Sequence, residues 1–140
     1  MKEATARDLF VDTSFWFSTL HPPDAHYRRA GELWMHVNED RSRLHCTREV
    51  VGETLTLLRY RASARAALRF LDTIVPDVHV IDSPREFHEH AMHLFRRWAP
   101  NRRVSYCDVL SFVVVRGMLN DAPCLAFDQD FVALGLTVIG

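Results

Sequence analysis

The sequence predicts an α/β fold: a parallel sheet covered on both faces by helices. Three observations carry that expectation. Short apolar runs alternate with amphipathic stretches from Leu9 to the end of the chain. An apolar fraction of 48% in 140 residues supplies a real core. No repeat, low-complexity segment or long linker divides the chain, so one domain over residues 1–140 is expected.

The elements follow in order. Strand one is residues 9–12, and a short helix starts at Thr13. A helix over about residues 24–39 carries Ala30, Leu33, Trp34 and Val37 on one face. Strand two is about residues 44–47, followed by a helix over about residues 49–59. A further helix from Ser63 is expected to bury Ala67, Phe70, Leu71 and Ile74. Strand three is residues 78–81. The next helix begins near Ser83, with Phe87, Ala91, Leu94, Phe95 and Trp98 at helical spacing. A nearly all-apolar helix covers residues 105–119. Its Val113, Val114 and Val115 suit a strand, but the flanking pattern and Ser105 favour helix. Strand four is residues 124–127 and strand five residues 136–139. Parallel strands need helical crossovers, and this alternation provides them.

Charge excludes some functions. The net charge is −1, neutral with respect to nucleic acid. Of the 17 basic residues only Lys2 is lysine, so no mechanism needing a lysine within the fold is open. The bias to arginine suits bidentate phosphate contacts, although genomic bias toward Arg is the favoured explanation. Three cysteines, Cys46, Cys107 and Cys124, with no C-x-x-C, argue against a disulfide framework or zinc ribbon and for buried thiols. No apolar run is long enough for a membrane span or signal-peptide core, so no membrane partner and a cytoplasmic location are expected. Five glycines, none grouped, rule out a P-loop or G-x-G-x-x-G.

Topology then gathers four acids. Ligands of an open parallel sheet bind at the carboxyl ends of its strands. Asp12 ends strand one and Asp128 follows strand four. Glu53 stands in the second turn of the helix after strand two, which starts at the same edge. The Ser105 helix must finish where strand four begins, so its first turn, with Asp108, also starts there. Each acid has a plainer role available. Asp12 and Asp128 suit N-caps. Ser105-x-x-Asp108 is a capping box. Glu53 suits a solvated helix face, beside the stripe Val50, Thr54, Leu58. Their convergence favours function. Clustered carboxylates repel unless a cation neutralises them, and oxygen donors select hard ions such as Mg²⁺ or Mn²⁺. Such an ion activates water and stabilises charge on a phosphodiester.

Four segments in this order carry a family resemblance: LFVDTSFW around Asp12, VVGETLTLL around Glu53, SYCDVLSFVVVRG around Asp108 and LAFDQDF around Asp128. The chain resembles a PIN domain of the VapC toxin type. The resemblance implies an α/β/α sandwich with a five-stranded parallel sheet of order 3-2-1-4-5. It also implies an endoribonuclease dependent on Mg²⁺ or Mn²⁺. Asp12, Asp108 and Asp128 then look like metal ligands, and Glu53 like a ligand directly or through water. Ser105, Thr13 and Asp130 become supporting residues. Many such proteins carry Thr or Ser two residues before the fourth acid, where this chain has Ala126. The same resemblance implies RNA as substrate, a homodimer and a cognate VapB-type antitoxin. A PIN nuclease of RNA processing without an antitoxin, and a non-catalytic PIN-like module binding RNA or protein, are the alternatives. A phosphoacceptor receiver domain would need a late lysine, which is lacking.

Three further features are weighed. Arg61, Arg65 and Arg69, with Arg59, form a basic helix face suited to RNA phosphates or simply to solvent. Arg96, Arg97, Arg102 and Arg103 pose the same choice. His88, His90 and His93 lack the spacing of a metal motif and read as surface histidines. Phe15, Trp16 and Phe17 read as core or dimer interface rather than a stacking platform for bases.

Overall fold

A computed structural model describes residues 6–140; Lys2 lies outside the described residues. Five parallel strands form one sheet of order β3-β2-β1-β4-β5. These are β1 (Asp8–Val11), β2 (Arg43–Thr47), β3 (His79–Ile81), β4 (Cys124–Leu125) and β5 (Val138–Ile139). In the central strand Leu9, Phe10 and Val11 are all buried, as a strand covered on both faces requires. Its neighbours are β2, through Leu9↔Leu44, and β4, through Val11↔Leu125.

Among the described residues seven α-helices complete the fold: α1 (Thr13–Leu20), α2 (Tyr27–Glu39), α3 (Arg48–Arg61), α4 (Ala64–Arg69), α5 (Arg85–Trp98), α6 (Tyr106–Met118) and α7 (Gln129–Ala133). Phe15 and Trp16 of α1 are fully buried, and Trp16 packs against Trp34 and Phe70. The aromatic run is therefore core. In α6 Val113, Val114 and Val115 are buried helix residues, so the valine run is not a strand. Cys46 and Cys124 are buried thiols, and burial pushes each up to about 12.

Several expected boundaries move, for local reasons. Helix α2 starts at Tyr27 because Asp24 is used in a turn, where its Oδ2 accepts from Ser18 Oγ and His26 N. Helix α5 starts at Arg85 because Pro84 takes the N-cap position, leaving Ser83 extended ahead of it. A π-helical turn, Phe70–Ile74, follows α4 and rotates Leu71 outward, 40% exposed, while Phe70 stays buried. Leu71 is thus not the core residue expected. Strand β5 is shorter than residues 136–139, since Gly135 (φ 86°) ends α7 and Leu136 N bonds back to Phe131 O. Strand β4 stops at Leu125 because the chain leaves the sheet there, and Phe127 N bonds to Ser14 Oγ. Arg61 closes α3 and Arg65 lies in α4, so the arginines expected on one helix face are split between two helices.

Candidate metal centre

The site is built by helix caps at the carboxyl edge of the sheet. Asp12 N donates to Leu125 O, carrying the β1–β4 ladder one residue beyond β1. Asp12 then caps α1: its Oδ2 accepts from Ser14 N (3.1 Å) and Ser14 Oγ (2.6 Å). Asp128 caps α7 by accepting from Asp130 N on Oδ1, at 2.9 Å. Ser105 and Asp108 form a reciprocal capping box at the start of α6, in which Asp108 Oδ2 accepts from Ser105 N. The capping roles anticipated as alternatives are all real, and they do not compete with a site. Each cap engages one oxygen of its carboxylate and holds the group in a fixed orientation, so the other oxygen remains for a cation.

All four expected acids line one cleft of about 620 Å³, together with Thr13, Ser14, Ser105 and Asp130. Among the described residues, one trio of acids offers ligand atoms within 4.8 Å of one another: Asp108, Asp128 and Asp130. Asp130, read from sequence as a supporting residue, therefore sits closer to the centre than that role suggested. The tight turn of α7 brings it back beside Asp128. Glu53 is exposed in the second turn of α3, yet its charge reaches Asp12 and Asp108.

The electrostatics of the cleft are set by burial and by the mutual repulsion of its acids. Asp12, only 4% exposed, is pushed up to about 7, first by burial and then by the charges of Asp108 and Glu53. The bonds from Ser14 oppose that rise. Asp108 is raised by burial, then by Asp128 and Glu53. Asp130 is raised by partial burial and by Asp128. An ion bound among them would reverse all three trends by favouring the carboxylate forms. The donors fit a hard divalent ion, since they are carboxylate oxygens on short, cap-fixed side chains. Cys107 stands next to this cluster, but burial and the adjoining acids hold its thiol well above the ordinary range. It is not among the residues that line the cleft, whose acidic donors are all carboxylate oxygens.

The expected supporting residues divide. Ser105 is a cap, as described. Thr13 is buried and faces α3, where its Oγ1 donates to Val50 O and accepts from Thr54 Oγ1. It fixes α1 against α3. The residue that sequence reasoning missed is Ser14. Its hydroxyl donates to Asp12 and accepts from Phe127 N at 3.0 Å, tying the first acid to the strand leading into Asp128. The available signal was its place two residues after a candidate N-cap, where such a carboxylate finds its donor.

Arg59, Arg61, Arg65 and Arg69 are exposed and lie outside the walls of this cleft, which instead has Arg102 and Arg103. His90 and His93 are exposed, while His88 bonds Tyr106 Oη at 2.7 Å; the three form no ligand group. A larger groove of about 810 Å³ between α2 and the turns before β3 has Asp77 as its only acid, and so lacks the chemistry of the edge site. Among the described residues no helix is long and apolar enough to cross a membrane.

Comparison with known proteins agrees with this geometry. The sequence profile described as PIN domain matches residues 9–135. The chain is 34% identical over 137 residues to the "23S rRNA-specific endonuclease VapC20" of Mycobacterium tuberculosis, covering 94% of this chain and 97% of that one. It is 29% identical over 107 residues to the "VapC ribonuclease" of Archaeoglobus fulgidus, covering 74% and 67%. The crystal structure of VapC20, described as a sarcin-ricin loop cleaving toxin, superposes with a TM-score of 0.78 at 31% identity, over 92% of this chain and 96% of that one. VapBC2 from Rickettsia felis, solved with a DNA fragment of its promoter, shares the fold at a TM-score of 0.64 and 11% identity, over 94% and 97% of the two chains.

Proposed function

The chain belongs to the PIN-domain family, and we propose that its 140 residues act as one PIN-like domain, a Mg²⁺- or Mn²⁺-dependent endoribonuclease and the toxin of a VapBC-type pair. The observation that carries this reading is the set of cap-fixed carboxylates at one sheet edge. Asp12, Asp108 and Asp128 are the ligand candidates, with Asp130 beside them and Glu53 on the facing helix. Bound there, the ion supplies a water of lowered pKa and neutralises charge on the phosphodiester.

The protein's own part is positional and electrostatic. Caps hold Asp12, Asp108 and Asp128 before any ion arrives, so little ordering remains to be done on binding. Ser14 keeps the Asp12 carboxylate turned into the cleft and locks it to the neighbouring strand. Glu53, exposed and across the cleft, is placed to orient a water or accept its proton. Ala126 stands where many relatives have a hydroxyl, and it is buried, so no hydroxyl from that position takes part.

The likeness to VapC20 supports RNA as the substrate class and makes 23S rRNA the first substrate to test. A VapB-type antitoxin, a homodimer and action in the cytoplasm belong to the same reading, the antitoxin supported by the likeness to relatives named VapC. The test is cleavage of purified ribosomal RNA in Mn²⁺ by the wild type and by Asp108→Asn. The proposal expects a discrete cleavage product from the wild type and none from the folded variant. Equal cleavage by both would remove Asp108 from the site; no cleavage of any RNA by the wild type, with Mn²⁺ binding intact, would favour a non-catalytic PIN-like module.

A further inference from the structure

The acid cleft poses an electrostatic problem for an RNA substrate. Five carboxylates line it: Asp12, Glu53, Asp108, Asp128 and Asp130. One divalent ion offsets two of those charges. The polyanion must still approach the remaining negative charge, and among the described residues the only cationic side chains in the cleft wall are Arg102 and Arg103. Both are exposed, and neither makes an ion pair within 4.0 Å among the described residues. Arg103 lies near enough to Asp130 to oppose the rise in its pKa. Arg102 is held over the Trp98 ring, 5.4 Å from guanidinium carbon to centroid.

Arg102 and Arg103 lie three and two residues ahead of Ser105, the cap of α6, so the segment that leads into that cap carries both of them toward the Asp108 end of the helix. They also form the shared wall with a second hollow of about 310 Å³, lined by Arg102, Arg103, Val104, Asp130, Ala133 and Leu134. Its lining combines two guanidiniums with the apolar Val104, Ala133 and Leu134 and one carboxylate, Asp130, and its volume is at the lower end of small-ligand sites, roughly 300–1,000 Å³. A nucleotide has that chemistry: a phosphate joined to a largely apolar, stackable body.

We propose that Arg102 and Arg103 bind the RNA phosphate next to the scissile one and that the adjoining hollow seats the attached nucleotide. This rests on the ribonuclease reading. It gives the substrate a direction across the site, from the acids over the two arginines toward α7. Arginine suits the task because a guanidinium stacked on Trp98 presents its donor edge to a phosphate without further ordering.

The test measures binding of a labelled single-stranded oligoribonucleotide to Asp108→Asn protein, with and without Arg102→Ala/Arg103→Ala, over a range of salt. Cleavage by the same arginine variants is measured in an otherwise wild-type background. The arginine pair is expected to weaken binding roughly tenfold or more and to flatten the slope of log K against log salt by about 0.7, the value for one phosphate on a single strand. KM should rise while kcat changes by less than about threefold. Lysine at both positions should restore the salt slope but only part of the affinity. Arg85→Ala, an exposed arginine paired with Glu89, should change neither quantity. If the wild type cleaves RNA and the Ala pair matches it in KM, affinity and salt slope, the arginine assignment is overturned and the ribonuclease reading stands. If neither cleavage nor RNA binding is seen in the parent proteins, both fail together.

Discussion

Asp8 opens the four-residue strand β1 and Asp12 directly follows its last residue, and the fold treats the two in opposite ways. Asp8 receives Arg43 in a two-pronged pair (2.8 and 3.0 Å) and His45 Nε2 at 2.9 Å. The Arg43 guanidinium, then His45, hold its carboxyl below the ordinary range. Asp12 has only serine donors, is buried, and faces other acids, so it is pushed up to about 7. One aspartate is completed by its own chain. The other is oriented by its chain and left for a counter-charge from outside. A charged group with its partner in the sequence is architecture; one without it points to chemistry.

The comparison breaks most sharply at the acids. Asp108→Asn should lower RNA cleavage by at least about a hundredfold while the fold is retained, since the amide keeps the size of the side chain and loses its charge. RNA-cleavage assays with circular dichroism on the same samples check this, and near-normal activity in the folded variant would contradict it. Ser14→Ala is expected to weaken divalent-ion affinity or activity by roughly 10- to 100-fold, as the loss of a group orienting a ligand does. Metal titration of activity reads it. An unchanged metal requirement would reduce Ser14 to a strand tie.

The two aspartates should also carry opposite pH dependence. Asp12 has a folded pKa raised above 3.8 to about 7, so folding takes up a proton between those values. Its contribution to the stability of metal-free protein is full below about pH 3.8 and is lost as pH rises through about 7. The lowered pKa of Asp8 works the other way: its contribution is present above 3.8 and is lost as pH falls through the folded value. Thermal melts in EDTA between pH 5 and 8 should therefore fall with rising pH, and Asp12→Asn should flatten that fall. A melt curve in which Asp12→Asn follows the wild type throughout would contradict the assignment. The smallest effect belongs to Asp8→Asn. An exposed pair costs at most about 1 kcal/mol when broken, so denaturant melts should shift little and RNA cleavage should hold. A large loss of activity there would mean that the two ends of β1 are not independent.

Much of this was legible in the chain, for physical reasons that name themselves. Leu9, Phe10 and Val11 read as a strand buried on both faces because nothing polar interrupts them. The α6 boundary was legible because Ser105 and Asp108 carry the capping pattern, and convergence of Asp12, Glu53, Asp108 and Asp128 followed from βα direction alone. What was not legible depends on short-range geometry or on non-local pairing. Periodicity assigned Leu71 to the core, but a π-helical turn adds a residue and rotates it out. The approach of Asp130 to Asp108 depends on a hydrogen bond closing one tight turn. The division of labour between Thr13 and Ser14 is set by what α3 and Phe127 place against them, partners 37 and 113 residues away. The basic residues were the hardest case. Sixteen arginines look alike in sequence, and only tertiary structure puts Arg102 and Arg103, rather than Arg65 and Arg69, in the wall of the acid cleft.

We read the carboxyl edge as a divalent-cation site. Titrating Mn²⁺ into metal-free protein at pH 8, followed by calorimetry and by thermal melting, tests it most directly. Saturable binding with a rise in melting temperature is expected in the wild type, with both effects lost in Asp12→Asn and in Asp108→Asn and kept in Asp8→Asn. No saturable binding to the wild type, or equal binding by all four proteins, would contradict the claim.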